Sequence, residues 1–275
     1  MSSAILRVDD FRCHDERLVQ ILPGREDEAA EVALSLRDAG LCDGVFVGGK
    51  DVVDWGFVDR VRSLDRFFFS NVDTSFKGVD VTVLRNARVL GVSDVKIDLD
   101  LRSFERLSSL GYQWKSHPGG LMCLPSLREV SFWGVRKNLG DAGFGFPAQL
   151  KVFRLIGYAD SRMDIGGGVP SLDVLSISRA RSLTALPRLG SVKKLDVSFV
   201  GKDSFDYQTV PDDVEELIID SCAPIQDWRF LEGKKHLRRL FIDRTKFVAP
   251  VGRLAKFLEG VEDVYIPSLR ISTNP

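Results

Sequence analysis

Carboxylate pairs are the first residues in this sequence whose spacing could do chemistry. The stretch IDLD (97–100) places Asp98 and Asp100 in a D-x-D arrangement, which could hold a divalent metal ion through oxygen ligands. Two solvent-facing acids beside a strand are the commoner reason for such spacing. We therefore expect no metal site there.

Thiols, imidazoles and glycines offer no stronger candidate. Cys13 and His14 are adjacent in sequence, but a nucleophile and its base need a geometry that adjacency does not supply. GGGVP (166–170) lacks the Lys-Ser/Thr ending of a phosphate-binding loop and predicts a turn. The cysteines form no CxxC pair and no metal-ligand spacing with the histidines; they are Cys13, Cys42, Cys123 and Cys222. Reduced, buried thiols, no cofactor, no metal and no catalytic residue are expected.

Composition limits the class of protein. The chain has 275 residues, 44% of them hydrophobic, with 38 basic and 39 acidic side chains. This balance lacks the electrostatic footprint of a dedicated nucleic-acid binder, and the basic run from Lys234 to Arg239 is predicted to be a solvated turn. No stretch approaches the roughly 18 apolar residues of a membrane-spanning helix. Residues 1–16 show no basic start followed by an apolar run, so a cytoplasmic location is expected if the chain is complete.

One phrase recurs along most of the chain and defines the elements that must position any site. The stretch VPSLDVLSISRA (169–180) contains L-x-x-L-x-L-x-x-a, in which the ninth position is small or apolar. The phrase returns every 20 to 24 residues or so. Its copies begin at Leu64, Ala87, Leu107, Leu127, Leu150, Leu172, Val192, Val214, Leu237 and Val261. In every copy the first, fourth and sixth positions are apolar or Tyr.

This period predicts a solenoid. The fourth and sixth positions alternate inward as a half-buried strand requires, and one such unit cannot enclose a core alone. Stacking about ten units, each strand parallel to the next and each return segment crossing behind, buries one continuous ribbon. The predicted fold class is therefore α/β, with one parallel sheet.

The phrase resembles the leucine-rich-repeat family, whose consensus is L-x-x-L-x-L-x-x-N/C-x-L. The best match, LTALPRLGSVKKLDVSFV (183–200), is similar to the repeats of bacterial members. The resemblance covers about residues 60 to 270 and implies a parallel sheet on a concave face. The family's asparagine at the ninth position is absent from every copy, so an irregular or flatter solenoid is expected.

The ends of the chain predict helices. REDEAAEVALSLRDAG (25–40) begins with acids, continues with apolar residues at helical spacing and ends in Gly40, as a helix does. With a strand at AILRV (4–8) and a degenerate repeat near 41–50, it predicts an N-terminal cap over 1–60, followed by the solenoid over 61–275. VGRLAKFLEG (251–260) predicts a helix in the last return segment.

The outward strand positions hold the candidate partner-binding residues. The fifth and seventh positions of the phrase should line the concave face, where a bare scaffold would carry small polar or β-branched residues. Several of these positions are instead large and apolar, as binding anchors are. The candidates in these columns are Phe68, Trp133, Arg154, Ile156, Asp196, Ile218, Asp220, Phe241, Asp243 and Tyr265. The alternative is that flanking loops or the cap fold over them.

Charges suggest the partner. The third position alternates in sign over Lys194, Glu216, Arg239 and Asp263, which is most simply a structural ladder. The acids Asp196, Asp220 and Asp243 form a diagonal strip that would suit a basic protein surface.

Two classes of function follow. The first is a non-catalytic protein-binding module. The resemblance to small leucine-rich-repeat proteins implies either an immunity protein that neutralises a bacterial toxin, or an effector or adaptor that holds a host or regulatory protein. The second is a parallel β-helix carbohydrate-active enzyme, in which Asp220 and Asp243 lie about 5 Å apart like a retaining glycosidase pair. The absence of an export signal and of long substrate loops favours the binding module.

Overall fold

The computed structural model describes residues 5–7, 17–48, 52, 54–71, 80–93, 99–114, 118–166 and 171–267. The chain divides into two compact units, residues 1–130 and 131–275, which are described in turn. The candidate residues Cys13, His14 and Asp98, and most of the GGGVP stretch, lie outside the described residues.

The described residues contain a sheet of thirteen strands paired in chain order. They are β1 (Ile5–Arg7), β2 (Arg17–Ile21), β3 (Gly44–Gly48), β4 (Arg66–Ser70), β5 (Val89–Ser93), β6 (Ser109–Gln113), β7 (Glu129–Trp133), β8 (Val152–Ile156), β9 (Leu172–Ser178), β10 (Val192–Ser198), β11 (Glu216–Asp220), β12 (Arg239–Asp243) and β13 (Asp263–Tyr265). β1 is antiparallel to β2, and the other twelve strands form a parallel sheet. The predicted α/β class and the repetitive, solenoid-like parallel sheet are confirmed.

Short helices occupy part of the return segments. They are the α-helices α1 (Glu26–Asp38) and α2 (Phe57–Val61), and the 3-10 helices Val81–Leu84, Leu121–Cys123, Tyr207–Thr209, Trp228–Leu231 and Val251–Phe257. α1 confirms the helix predicted over 25–40, with three acids in its first turn and Ala29, Ala30 and Ala33 buried.

The helix predicted over 251–260 has a different geometry. Residues Val251–Phe257 form a 3-10 helix, in which side chains three apart line up and runs are short. In this helix Leu254 is buried, whereas Val251 is 45% exposed.

Strands of the first unit share one register. Val45 lies beside Phe67, and Phe67 lies beside Leu90, so the fourth positions of successive copies are neighbours. β2 and β3 extend this register toward the N-terminus, with Val19 beside Val45. The degenerate repeat predicted near 41–50 therefore contains a strand, β3, whereas β2 was not predicted.

Strands of the second unit repeat the same arrangement. Leu175, Leu195, Leu217 and Leu240 are fourth-position neighbours, and all four are buried. Behind them the return segments add aromatic rings, and Phe144 lies 5.4 Å from Phe132 and 5.6 Å from Phe153 between ring centroids. The core of this unit therefore lies between the inner face of the sheet and its return segments.

The strands β7–β12 end in the same bend, at the eighth position of the phrase. In the second unit this residue has positive φ: 73° at Gly134, 72° at Gly157, 56° at Arg179 and Phe199, 53° at Ser221 and 47° at Arg244. The N–H of Arg179 donates to the carbonyl of Ser198, and that of Ser221 to the carbonyl of Asp243, at 2.9 and 3.0 Å. Backbone groups of the next strand thus stabilise the bend. The ninth positions from Val135 to Val200 in this unit are buried side chains, so no asparagine is needed there.

One asparagine does serve the return segments of the second unit. Asn138 is 2% exposed and donates from Nδ2 to the Arg162 carbonyl at 3.2 Å and to Asp164 Oδ2 at 2.9 Å. Its Oδ1 accepts from the N–H groups of Gly140 and Asp164 at 2.9 and 3.3 Å. A single buried amide therefore joins two consecutive return segments.

Lys234 corrects the prediction of a fully solvated basic turn. Its side chain is only 2% exposed, and Nζ donates to the carbonyls of Val210 and Pro211 at 2.9 and 3.2 Å. Asp212 lies 3.3 Å from Nζ. Burial lowers the pKa of Lys234, although Asp212 acts in the opposite direction. Lys235, His236, Arg238 and Arg239 are exposed as predicted.

We predict that Asn138→Ala lowers the free energy of unfolding by about 2–3 kcal/mol, because several buried hydrogen-bonding groups lose their partner at once. Urea denaturation measures the change. Gln226→Ala, at an exposed position in another return segment of the same unit, is the control and should change stability by less than about 0.5 kcal/mol. Equal effects of the two substitutions would contradict the structural role of Asn138.

Candidate functional site

The outer face of the second unit is the side of β8–β13 formed by the third, fifth and seventh positions of the phrase. Register places Asp196, Ile218, Phe241 and Tyr265 side by side in the fifth column. Ser198, Asp220 and Asp243 are neighbours in the seventh column. Since adjacent strands lie about 4.8 Å apart, each column is a continuous row of side chains.

Ile218, Phe241 and Tyr265 form an apolar ladder on this face. Ile218 and Phe241 are half-buried, and Tyr265 is 51% exposed. The rings of Phe241 and Tyr265 stack with centroids 4.7 Å apart and planes 13° apart. The ladder is therefore a preformed aromatic surface on strands that the register holds in place.

Arg154 and Ile156 lie on β8 of the outer face and Trp133 lies at the seventh position of β7, and all three are half-buried. β9 separates β8 from β10, a distance of about 10 Å between the outer two strands. Its outward positions include Ser176 and Ser178. The structure thus joins the candidates on β10–β13, and the serines of β9 separate them from those on β7 and β8.

Phe68 is the one candidate in the first unit, and its prediction as an exposed anchor is wrong. It is 3% exposed, and the fifth-position residues of the next two strands, Gly91 and Gly111, are also buried. Phe46 and Gly91 are its register neighbours. The fifth-position residues of β4–β6 are therefore buried, as the alternative prediction allowed. Burial of the Phe68 ring removes its apolar area from water.

Arg244 changes the charge of the predicted acidic strip. Its Nε donates to Asp220 Oδ1 at 3.0 Å and its Nη2 to Asp220 Oδ2, while Nε lies 3.3 Å from Asp243 Oδ2. The hydrogen bond to Asp220 raises the pKa of the Arg244 guanidinium. Two of the three carboxylates in the strip therefore share one cation, which leaves the strip less acidic than the sequence predicts.

The same contacts disfavour the glycosidase interpretation. A retaining pair needs one carboxyl group to give its proton to the leaving group and another to attack the sugar. Both oxygens of Asp220 accept hydrogen bonds from Arg244, and Ser221 Oγ donates to Oδ1 at 3.0 Å. Asp220 therefore presents neither oxygen unengaged to a substrate.

Three of the four alternating charges at the third position form the predicted structural ladder of ion pairs, and Asp263 lies beside Arg239 in register. Lys194 Nζ lies 2.6 Å from Glu216 Oε1, and Arg239 Nη1 lies 3.8 Å from Glu216 Oε2. These side chains are partly exposed, so each pair contributes a few tenths of a kcal/mol, up to about 1. These ion pairs of the third position support the sheet beside the apolar ladder.

Metal and thiol chemistry gain no support from the described residues. No group of three or more His, Cys, Asp or Glu side chains there could hold a metal ion. Asp100 is paired through both oxygens with Arg102, which lowers the pKa of Asp100 to about 2. Cys222 Sγ lies 3.3 Å from the Val197 carbonyl and 3.2 Å from that of Asp220, and burial raises its pKa to about 11.

Comparisons with protein-family models, with curated proteins and with solved structures each find no match to this chain. None of the helices in the described ranges is long and apolar enough to cross a membrane. The side-chain geometry of the outer face is therefore the basis for a functional proposal.

We predict that Cys222 is alkylated by iodoacetamide at pH 8 about 100-fold more slowly than an exposed cysteine, because little of a thiol with so high a pKa is ionised. Peptide mass spectrometry measures the rate, with exposed Cys123 as the internal control. The rate should rise about tenfold per pH unit from pH 8 toward the pKa of Cys222. Equal labelling of the two cysteines at pH 8 would contradict the shielding of Cys222.

Proposed function

We propose that this chain is a protein-binding module of the leucine-rich-repeat type that holds a protein partner on the outer face of β10–β13 and catalyses no reaction itself. The proposed architecture is about ten units of 20–24 residues behind an N-terminal cap over residues 1–60. The recurring phrase and the shared register of its strands support this architecture.

The apolar ladder is the observation that carries the proposal. Aromatic and large aliphatic side chains that remain partly exposed on a rigid sheet are typical anchors of protein interfaces. Their rotamers are restricted by the stacking of Phe241 on Tyr265, so less side-chain entropy is lost on binding.

The charged groups beside the ladder favour a partner with basic groups. Asp196 begins the fifth column, and Asp220 and Asp243 border the ladder with Arg244 between them. The local balance of these four side chains stays acidic, and charges at the rim of an interface raise the association rate. An immunity protein that neutralises a basic toxin domain in the cytoplasm, in a one-to-one complex, is the partner relationship we propose.

We predict that Phe241→Ser with Tyr265→Ser weakens partner binding at least tenfold, because both anchors lose their apolar area. Affinity capture followed by crosslinking mass spectrometry identifies the partner, and a titration with that partner measures the loss. Wild-type crosslinks should map to β11–β13.

Val248→Ser with Met122→Ser is the matched control, since both side chains are exposed and neither lies on the outer face. Thermal unfolding verifies that both variants fold. A double serine variant that keeps full affinity, or crosslinks confined to the return segments, would refute the proposed site.

We predict that Arg244→Gln increases the association rate with a basic partner several-fold at low salt, because Asp220 and Asp243 lose their shared cation. Stopped-flow or surface-plasmon kinetics at 50 and 300 mM NaCl measure the effect, which should shrink at the higher salt. Arg179→Gln, at the same bend of an earlier strand, is the control. A slower association in Arg244→Gln would instead indicate an acidic partner.

A further inference from the structure

A polar groove lies in the first unit. It has a volume of about 480 Å³ and is lined by Arg62, Ser63, Thr82, Val83, Arg85 and Asn86. Arg62 directly follows α2, and Arg85 directly follows the 3-10 helix Val81–Leu84, so two successive return segments form its walls. The groove is large enough for a small-molecule ligand.

Two arginines make the lining of this groove positive, and the carboxylate of Asp80 is hydrogen-bonded to the lining residue Thr82. Among the described residues, Arg62 and Arg85 form no ion pair, and the six lining residues include no carboxylate. A second groove of about 340 Å³ in the same unit is different, since Asp65 and Glu129 line it together with its arginines. The first groove is therefore the better place for an anion.

In the second unit, the like-charged carboxylates of Asp220 and Asp243 are about one repeat apart, and Arg244 lies between them as a shared cation. In the first unit, Arg62 and Arg85 are also about one repeat apart and have the same sign. Neighbouring like charges are destabilising unless an anion lies between them.

Neutral donors complete the groove. Arg37 Nη1 donates to Ser63 Oγ, so the hydroxyl proton of Ser63 can be donated to a ligand. Thr82 is not such a donor, because its hydroxyl proton is donated to Asp80 Oδ1 at 2.6 Å. Asn86 adds an amide with two N–H donors at the same wall.

We propose that this groove binds the phosphate groups of a small oligophosphate ligand. The planar guanidinium forks of Arg62 and Arg85 match pairs of phosphate oxygens, and Ser63 and Asn86 donate to the remaining oxygens. The bound anion would also relieve the repulsion between the two arginines. The ligand is either an inorganic oligophosphate or the phosphate chain of a nucleotide, which share this chemistry.

The competing explanation is that both arginines only stabilise helix ends. Cations at helix C-termini interact favourably with the last carbonyl groups. The helices in question have only five and four residues, however, and their dipoles are correspondingly small. A purely structural role would change thermal stability and leave ligand affinity unchanged.

Isothermal titration of the full chain with sodium tripolyphosphate and, separately, with ATP at 50 mM NaCl tests the proposal. We expect saturable binding that Arg62→Gln with Arg85→Gln weakens at least tenfold and that 300 mM NaCl also weakens. Arg62→Lys with Arg85→Lys should lose less, because the charges remain while the forked geometry is lost. Tighter binding of ATP than of tripolyphosphate would assign the site to a nucleotide, and equal binding would assign it to the phosphate chain alone.

Arg106→Gln is the matched control, an exposed arginine of the same unit that lines neither groove. The proposal fails if tripolyphosphate gives no saturable binding, if the double glutamine variant binds as tightly as the wild type, or if Arg106→Gln weakens binding equally. Thermal unfolding verifies folding of each variant. Should the double glutamine variant unfold, the lysine variant alone decides, and unchanged tripolyphosphate affinity there would overturn the proposal.

Discussion

The backbone hydrogen bond at the ends of β7–β11 is the constraint on which the second unit depends. The residue after the strand turns through positive φ, and its N–H donates to the last carbonyl of the next strand, as Phe199 does to Asp220 at 2.9 Å. This bond repeats from strand to strand and holds successive phrases in one register. A shift of one residue would exchange the inward and outward side chains of a strand, so the register decides which residues form core and which form surface.

The bend also places side chains that act on the outer face. A left-handed conformation costs a non-glycine residue roughly 1–2 kcal/mol, yet four consecutive bends in this unit carry Arg179, Phe199, Ser221 and Arg244. The side chain of Arg244 reaches two carboxylates, and the ring of Phe199 lies 5.3 Å below the guanidinium carbon of Arg181. Glycine would adopt this conformation at no steric cost but would provide neither contact.

The period of the phrase was sufficient to predict the strands. In all ten copies the observed strand includes the third to fifth positions, and in nine of them it reaches the seventh, because inward apolar pairs can repeat at this spacing only in stacked strands. β2 was missed because Glu16 stands where the phrase requires an apolar first residue. Phe68 was wrongly predicted to be exposed because it occupies the same fifth position of the phrase as Phe241. Whether other residues bury a strand face leaves no local pattern in the sequence.

Contacts with residues one repeat away explain the other differences between the sequence predictions and the structure. Asn138 bonds Asp164, Lys234 bonds the Val210 carbonyl, and Arg244 bonds Asp220, each across 24 to 26 residues. The sequence shows that such residues exist, but their contacts depend on the lengths of the intervening return segments. Burial of Lys234 and pairing of Arg244 therefore followed only from the three-dimensional structure.

The near-neutral net charge of the chain does not reveal where its charges lie. A net charge of −1 excludes a strongly basic protein, but it averages over charges that the repeats sort into separate places. Opposite charges that are neighbours across the sheet neutralise each other, as Lys194 and Glu216 do, and contribute little field beyond their own ladder. Among the residues that the structure describes, Arg62 and Arg85 have no such paired neighbour, and their charges keep their field. In a repeat protein, the sequence separation between charged residues is therefore a better guide to charged sites than the net charge of the chain.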